Sequence, residues 1–368
     1  MRTDELDFPL PERLVAARPA EQRSQSRLLV VDCAGETWRH ERFPELGAIL
    51  APGDLLVCND TRVVPARLLA RKSTGGAVEG LWLADRGDGM AECLLSGSRL
   101  RPGVELQLAN GEYRLRLTDR VAPGRWLLED VERIGWLRLL AVAGAIPLPP
   151  YVRTRRQVLG IPEEEAADAE RYQTVWASVP GAVAAPTASL HFDADALAAL
   201  EARGVRRVEL TLHVGAGTFL PVASDDLDAH EMHAESYAVP ATTVAALHAT
   251  RRAGGRVIAV GTTVCRVLEH LARTGCAPED PLPSADLAGV TQLFLRPGAP
   301  FAWTDALLTN FHTPRSTLLA LVAAFAEAGG SHGLAFVKRV YAAAVAEEYR
   351  FYSYGDASLW LRGPAAKP

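Results

Sequence analysis

At 368 residues the chain is long for one domain, and two domains of roughly 100–200 residues each are expected. Its 48% hydrophobic and 23% charged residues supply ample core material for a globular protein, and a net charge of −5 excludes a protein that coats nucleic acid by bulk positive charge. Five scattered cysteines (Cys33, Cys58, Cys93, Cys265 and Cys276) include no C-x-x-C pair, which suits a reducing cytoplasm better than a disulfide framework.

The opening stretch, "MRTDELDFPLPERL", is too acidic and polar for a signal peptide. Near the other end, the apolar run "LLALVAAFA" (318–326) falls far short of the ~20 residues a bilayer crossing needs. A cytoplasmic protein without a membrane partner is expected. From about Gly53 to Asp130 the pattern is short alternating segments, and Asn110-Gly111 is the strongest hairpin signal because both residues tolerate positive φ. Several strands at this spacing predict a small barrel or sandwich. "VERIGWLRLLAVAGA" then has helical spacing, and "IPLPPYVRTRRQVLGIPEEEAADAERY" reads as a Pro-rich, charge-rich connection. The densest basic runs, 151–157 and 67–72, read as solvated surface.

After Gln173 the rhythm changes. "DADALAALEARG" predicts a helix capped by Asp193 and closed by Gly204, and "VRRVELTLHV" follows as a strand. Helix "ATTVAALHATRRAGG", strand "RVIAVG" and helix "TTVCRVLEHLART" come next, and two more helices occupy "PRSTLLALVAAFAEAGG" and "GLAFVKRVYAAAVAEEY". This alternation predicts an α/β fold with a mostly parallel sheet. The aromatic tail "EEYRFYSYGD" reads as a packed cover.

In such sheets ligands bind beyond the carboxyl ends of strands. His213 ends one predicted strand and Gly215 and Gly217 follow. Gly261 ends another, with Thr262 and Thr263 opening a helix whose free N–H groups can hold an anion. Asn310 and His312 lie in the loop before a helix capped near Ser316, and His191 precedes the Asp193 cap. A dinucleotide turn is excluded in 211–222, because the third glycine position is Leu220 and Pro221 disfavours a following helix. The "HEMH" stretch (230–233) lacks the i, i+4 spacing of a zinc helix, so no metal is expected. Any one histidine here is by default structural; four loops carrying polar side chains together predict one composite pocket. Arg266 and Glu269, three apart on a helix, are expected to pair with each other.

Seven ordered stretches, "GDLLVCNDTRVVPARL", "YQTVWASVPGAVAAPTASLHF", "TLHVGAGTFLPV", "HEMHAESY", "RVIAVGTTVCRVLE", "DALLTNFHTPRSTLLALVAAFA" and "EEYRFYSYGDA", resemble the S-adenosylmethionine:tRNA ribosyltransferase-isomerase family from about Leu6 to Trp360. The resemblance implies an α/β domain built from both chain ends (1–60 and 151–368) with a β-barrel domain (61–150) inserted between them. It also implies S-adenosylmethionine (AdoMet) as cosubstrate and tRNA as partner. The ribosyl part of AdoMet passes to 7-aminomethyl-7-deazaguanine at the wobble position, giving epoxyqueuosine, adenine and methionine. An alternative is the same AdoMet chemistry on another acceptor, or AdoMet cleavage without tRNA; a third class is an RNA-binding protein without catalysis. A monomer or weak homo-oligomer is expected.

Under this resemblance His191, His213 and His312 are the candidate proton-transfer groups, with Glu235 and His233 behind them. Gly215, Gly217, Thr218, Gly261, Thr262, Thr263, Arg266 and Asn310 are expected at AdoMet, its carboxylate on the Gly261–Thr263 turn. Asn59, Asp60, Arg62, Arg67 and His233 are expected at the acceptor. The chain departs from the family pattern where Ala77, Leu95 and Ser98 stand in place of cationic residues, and Gly80 in place of an aliphatic one. Ser189, Arg296 and Thr313 also differ. The remaining phosphate grip is therefore expected from Arg62, Arg67, Arg71, Lys72 and the 153–156 run.

Overall fold

The computed structural model describes residues 1–215, 217 and 224–363. After three short 3₁₀ turns come β1 (Arg27–Asp32) and β2 (Thr37–Arg42), then β3 (Leu55–Asn59) and β4 (Thr61–Val63). Next come β5 (Arg67–Lys72), β6 (Ala77–Gly87), β7 (Met90–Ser96), β8 (Glu105–Leu108), β9 (Tyr113–Ala122) and β10 (Arg125–Asp130). These pair in the order β5-β6-β7-β10-β9-β8, and a β5–β8 pairing closes them into a barrel. Alternate side chains fill it: Leu68, Val78, Trp82, Leu106, Leu115, Trp126 and Leu128 share one core with Trp136 and Leu140 of the helix Trp136–Ala143. The hairpin expected at Asn110-Gly111 exists, but with a longer loop. Leu108 pairs with Tyr113, and a 3₁₀ turn over Ala109–Gly111 spans the gap, with Gly111 at φ +97°.

β11 (Gly144–Ala145) leaves the barrel beside β5. β12 (Val179–Ala182) forms a two-stranded ribbon with β4. The remaining strands are β13 (Arg206–Leu212), β14 (Glu235–Val239), β15 (Val257–Val260), β16 (Leu287–Thr291), β17 (Ala306–Asn310) and β18 (Ala357–Leu361). They join β1–β3 in a nine-stranded sheet of order β16-β14-β13-β3-β15-β17-β18-β1-β2, so strands from before and after the barrel share one sheet. Its centre, β13-β3-β15-β17, is parallel, which sets the carboxyl ends of those strands along one edge. The fold is the α/β sheet plus β-barrel that the sequence predicts. The helices also fall where expected: Asp193 Oδ1 accepts from Ala196 N (2.9 Å) and Ser316 Oγ from Leu319 N (3.2 Å).

The stretch read as a connection contains a helix, Pro150–Val158, with Pro150 at its first turn, where a missing N–H costs nothing. Its arginines are not a solvated basic run. Arg156 is fully buried, its guanidinium bidentate on Asp168 (2.6 and 2.7 Å), with Nε donating to Ala17 O. Arg153 pairs with Glu79 and Glu163, and buried Arg67 with Glu79, Glu163 and Glu164. The acidic run 163–165 folds back to neutralise these cations, which corrects the expectation that they grip phosphate. Two of the departures compensate each other. Gly80 and Leu95 face across β6 and β7, and Leu95 Cδ2 lies 2.8 Å from where a Gly80 Cβ would stand. Leu95 is thus core filling rather than a lost surface cation.

Arg156→Ala strands a buried carboxylate, so we expect a loss of about 3–5 kcal/mol, read by chemical denaturation, whereas Arg62→Ala at an exposed position should change stability little.

Candidate active site

Beyond the carboxyl ends of β15 and β17 lies a cavity of about 540 Å³. One wall is the turn after β15. Gly261, at φ +97°, bends the chain sharply into the helix Thr262–Arg273, and Thr262, Thr263 and Arg266 line the cavity. Arg266 is buried. Its Nε donates to Leu293 O (3.0 Å) and its Nη1 pairs with Glu235 at the start of β14, while Glu235 Oε1 accepts from Gly215 N (3.0 Å). The expected Arg266–Glu269 pair does not form; Glu269 instead accepts from the backbone N–H groups of Ala302, Trp303 and Thr304. Two buried donors at this wall, Arg266 Nη2 and Thr263 Oγ1, have no partner among the described residues. Each costs about 1–3 kcal/mol unless a ligand supplies an acceptor. With the helix amides, they form a site for an anion.

The other wall follows β17. His312 lines the cavity; its Nε2 is 2.9 Å from Thr309 Oγ1 and its backbone N–H donates to Tyr341 Oη (3.1 Å). Burial pushes its pKa down to about 3, so the imidazole is neutral near pH 7. Asn310 also lines the cavity, and its Oδ1 accepts from Thr187 Oγ1 (2.8 Å). His191 stands one layer behind. Its Nε2 is 3.2 Å from Asn310 Nδ2 and its Nδ1 2.9 Å from Ser26 Oγ. Burial, partly opposed by Asp356, pushes its pKa down to about 4. His191 therefore orients Asn310 and does not itself face the cavity.

His213 is not in the cavity wall either. Its Nδ1 lies 2.8 Å from Thr61 Oγ1 and its ring packs on Gly181, where a Cβ would come within 2.8 Å. Burial lowers its pKa. It belongs to a network joining β3, β13 and β12, in which Asp60 accepts from Thr211 Oγ1 (2.6 Å) and Ser178 Oγ (2.8 Å). Fully buried Asn59 staples the ends of β3 and β13, donating to Leu212 O and accepting from Leu212 N and Thr61 N. Asn59 and Arg67 are thus closed to an acceptor, a correction set by burial; Arg62 and His233 remain exposed. His233 lines the cavity with Gly217, where a Cβ would stand 2.2 Å from His233 Cδ2. The glycine therefore admits an imidazole there, and the Gly215 amide is already engaged by Glu235. Thr218 lies outside the described residues.

The sequence reading missed other lining residues, among them Tyr151, His230, Arg315 and Tyr352. Tyr352 sits at φ +71°, edge-on to Tyr151 with centroids 4.7 Å apart. A tyrosine in that backbone region carries strain of about 1–3 kcal/mol, and nothing in its sequence neighbourhood signals it. Among the described residues no cluster of His, Cys, Asp or Glu is arranged to hold a metal ion.

The family described as queuosine biosynthesis protein matches residues 3–360. A relative from Acidithiobacillus ferrooxidans, named S-adenosylmethionine:tRNA ribosyltransferase-isomerase, is 50% identical over 362 residues, covering 98% of each chain. One from Rubrobacter xylanophilus with the same name is 46% identical over 363 residues, covering 99% of this chain and 98% of its own. A crystal structure of S-adenosylmethionine tRNA ribosyltransferase from Thermotoga maritima aligns with 97% of this chain and 100% of its own, at 34% identity and a TM-score of 0.53.

The two buried histidines give a signed pH dependence. Both are held neutral in the fold and take up protons when unfolded, below an ordinary pKa of about 6.5. Their stabilising effect is complete above that pH and is lost as pH falls toward 4 and 3. Unfolding free energy between pH 6 and 4.5 should fall more steeply in the wild type than in His191→Gln, by up to about 1.4 kcal/mol per pH unit; equal slopes would refute the neutral assignment.

Proposed function

Because the chain belongs to the queuosine biosynthesis protein family, we infer that it carries out the reaction for which its relatives are named. The ribosyl part of AdoMet is transferred and isomerised onto 7-aminomethyl-7-deazaguanine in tRNA, giving epoxyqueuosine and releasing adenine and methionine. AdoMet, a substrate, occupies the cavity beyond β15 and β17, whose volume is in the ~300–1,000 Å³ range of small-molecule sites. The observation that supports this reading is the pair of buried donors without a partner among the described residues, Thr263 Oγ1 and Arg266 Nη2, at a helix N-terminus. The methionine carboxylate of AdoMet supplies the acceptor that both lack among the described residues. Glu235 already neutralises much of the Arg266 charge, so selection rests on hydrogen-bond geometry as well as on charge.

The chemistry needs three proton operations. The sulfonium acidifies the C5′ protons, adenine departs more readily when a ring nitrogen is protonated or hydrogen-bonded, and the acceptor amine must be neutral to attack. His312 is the best placed of the three expected histidines for the first, since it alone among them lines the cavity and it is neutral. His191 and His213 act through other groups: His191 holds the Asn310 amide, and His213 holds Thr61. His233, exposed where it lines the cavity, is placed to meet the incoming base. A reaction on tRNA fits a cytoplasmic protein, and no described helix is long and apolar enough to cross a membrane.

Purified protein with AdoMet should release adenine only when tRNA carrying the aminomethyl base is present. Release without tRNA, or with a small acceptor, would favour the other acceptor chemistry. Two substitutions separate binding from chemistry: Arg266→Ala should raise the KM for AdoMet at least ~10-fold, whereas His312→Ala should lower kcat by ~10²–10⁴-fold. An unchanged KM in a folded Arg266→Ala protein would remove the carboxylate from this wall.

A further inference from the structure

Arg153 and Arg156 of the helix Pro150–Val158 and the nearby Arg67 are neutralised, yet one end of the barrel is not. The β5–β6 turn (71–77) and the β7–β8 link (96–104) meet there. Lys72 Nζ donates to Ser98 O (2.8 Å), and Gly97 packs against Val78 and the Ala77 carbonyl. Together the two segments carry Arg71, Lys72, Arg99 and Arg101 and contain neither Asp nor Glu. Arg71, Arg99 and Arg101 are exposed, and none of the four makes an ion pair among the described residues. Elsewhere on the barrel most arginines are matched: Arg116 with Glu105 and Glu129, Arg114 with Glu132, and Arg86 and Arg125 with Glu92, while Arg120 makes no ion pair among the described residues and lies over the Trp126 ring. In a chain of net charge −5, an acid-free tip of four cations is a local reversal of sign. Arg99 sits at φ +54°, so the link holds a side chain outward at a cost in backbone strain.

We propose that this tip, formed by Arg71, Lys72, Arg99 and Arg101, is a second contact for the substrate RNA and grips the phosphate backbone of the stem that carries the reacting loop. The proposal rests on the tRNA reading above. Neither segment contains Phe, Tyr or Trp, so the tip offers no platform for stacking unpaired bases. Arginine, lysine and small polar residues suit phosphates of a duplex, which proteins recognise by backbone and shape. The tip is also set away from the cavity. β5 runs from Arg67, which shares Glu79 and Glu163 with Arg153 of the helix whose Tyr151 lines the cavity, to Lys72, a distance of roughly 16 Å at strand rise. An RNA with its loop in the cavity meets the tip along its stem, so the tip sets affinity and orientation and takes no part in the chemistry.

The test is the triple variant Arg71→Ala/Arg99→Ala/Arg101→Ala, titrated against substrate tRNA at several salt concentrations and assayed for adenine release. Each lost phosphate contact lowers the log–log salt slope by ~0.9. We expect a slope smaller by roughly 2–3 and a KM for tRNA raised roughly 10–100-fold near 0.15 M salt, with the KM for AdoMet unchanged. An anticodon hairpin cut to two base pairs should bind the variant and the wild type equally. An unchanged slope, or a short hairpin as sensitive as whole tRNA, overturns the proposal. The functional reading fails separately: a wild type that binds RNA through the tip but releases no adenine overturns that reading and supports the tip. Tip-independent turnover on tRNA does the reverse.

Discussion

The buried pair between Arg266 and Glu235 is the interaction around which the site is organised. It joins the helix after β15 to the first residue of β14, and through Gly215 N and Leu293 O it also fixes the segments after β13 and β16. Burying both charges costs several kcal/mol per ion before their attraction returns it. That cost is tolerable only if the remaining hydrogen-bonding capacity is used. Glu235 uses both oxygens within the protein, but Arg266 Nη2 has no partner among the described residues. The pair is thus a support for the cavity wall.

The histidines are arranged in layers about the same cavity. His312 lines it, while His191 reaches it only through Asn310 and His213 lies in a different network. Burial depresses all three pKa values, and His191 and His312 are neutral hydrogen-bonding parts near pH 7.

Charge on the outside is allocated with similar economy. The run Glu163–Glu165 with Asp168 neutralises arginines that read as a basic patch along the chain, and the Arg156–Asp168 pair is fully internal. The departures at Ala77 and Ser98 fall within the barrel end that keeps four cations, and Lys72 reaches the Ser98 carbonyl. The departure at Leu95 is settled by packing against Gly80.

Periodicity and turn chemistry in the sequence determined the parts of the fold governed by local physics: the barrel strands, the helices after Gln173, the Asp193 and Ser316 caps, and Gly261 at a strand-to-helix turn. The Thr262–Arg266 wall and the loop of Asn310 and His312 were legible for the same reason, because strand ends in an α/β sheet are where ligands bind. Strands β1, β2, β14, β16 and β18 were not legible, since they lie at or near the sheet's flanks and are defined by partners far away in the chain. Which partner each charge takes was equally hidden. Arg266 chose Glu235 over Glu269, and Arg67 met acids about a hundred positions on. Only the tertiary structure decides such pairings, and with them which histidine faces the cavity. Burial and salt bridging depend on what folds against a side chain, and sequence spacing carries no record of that.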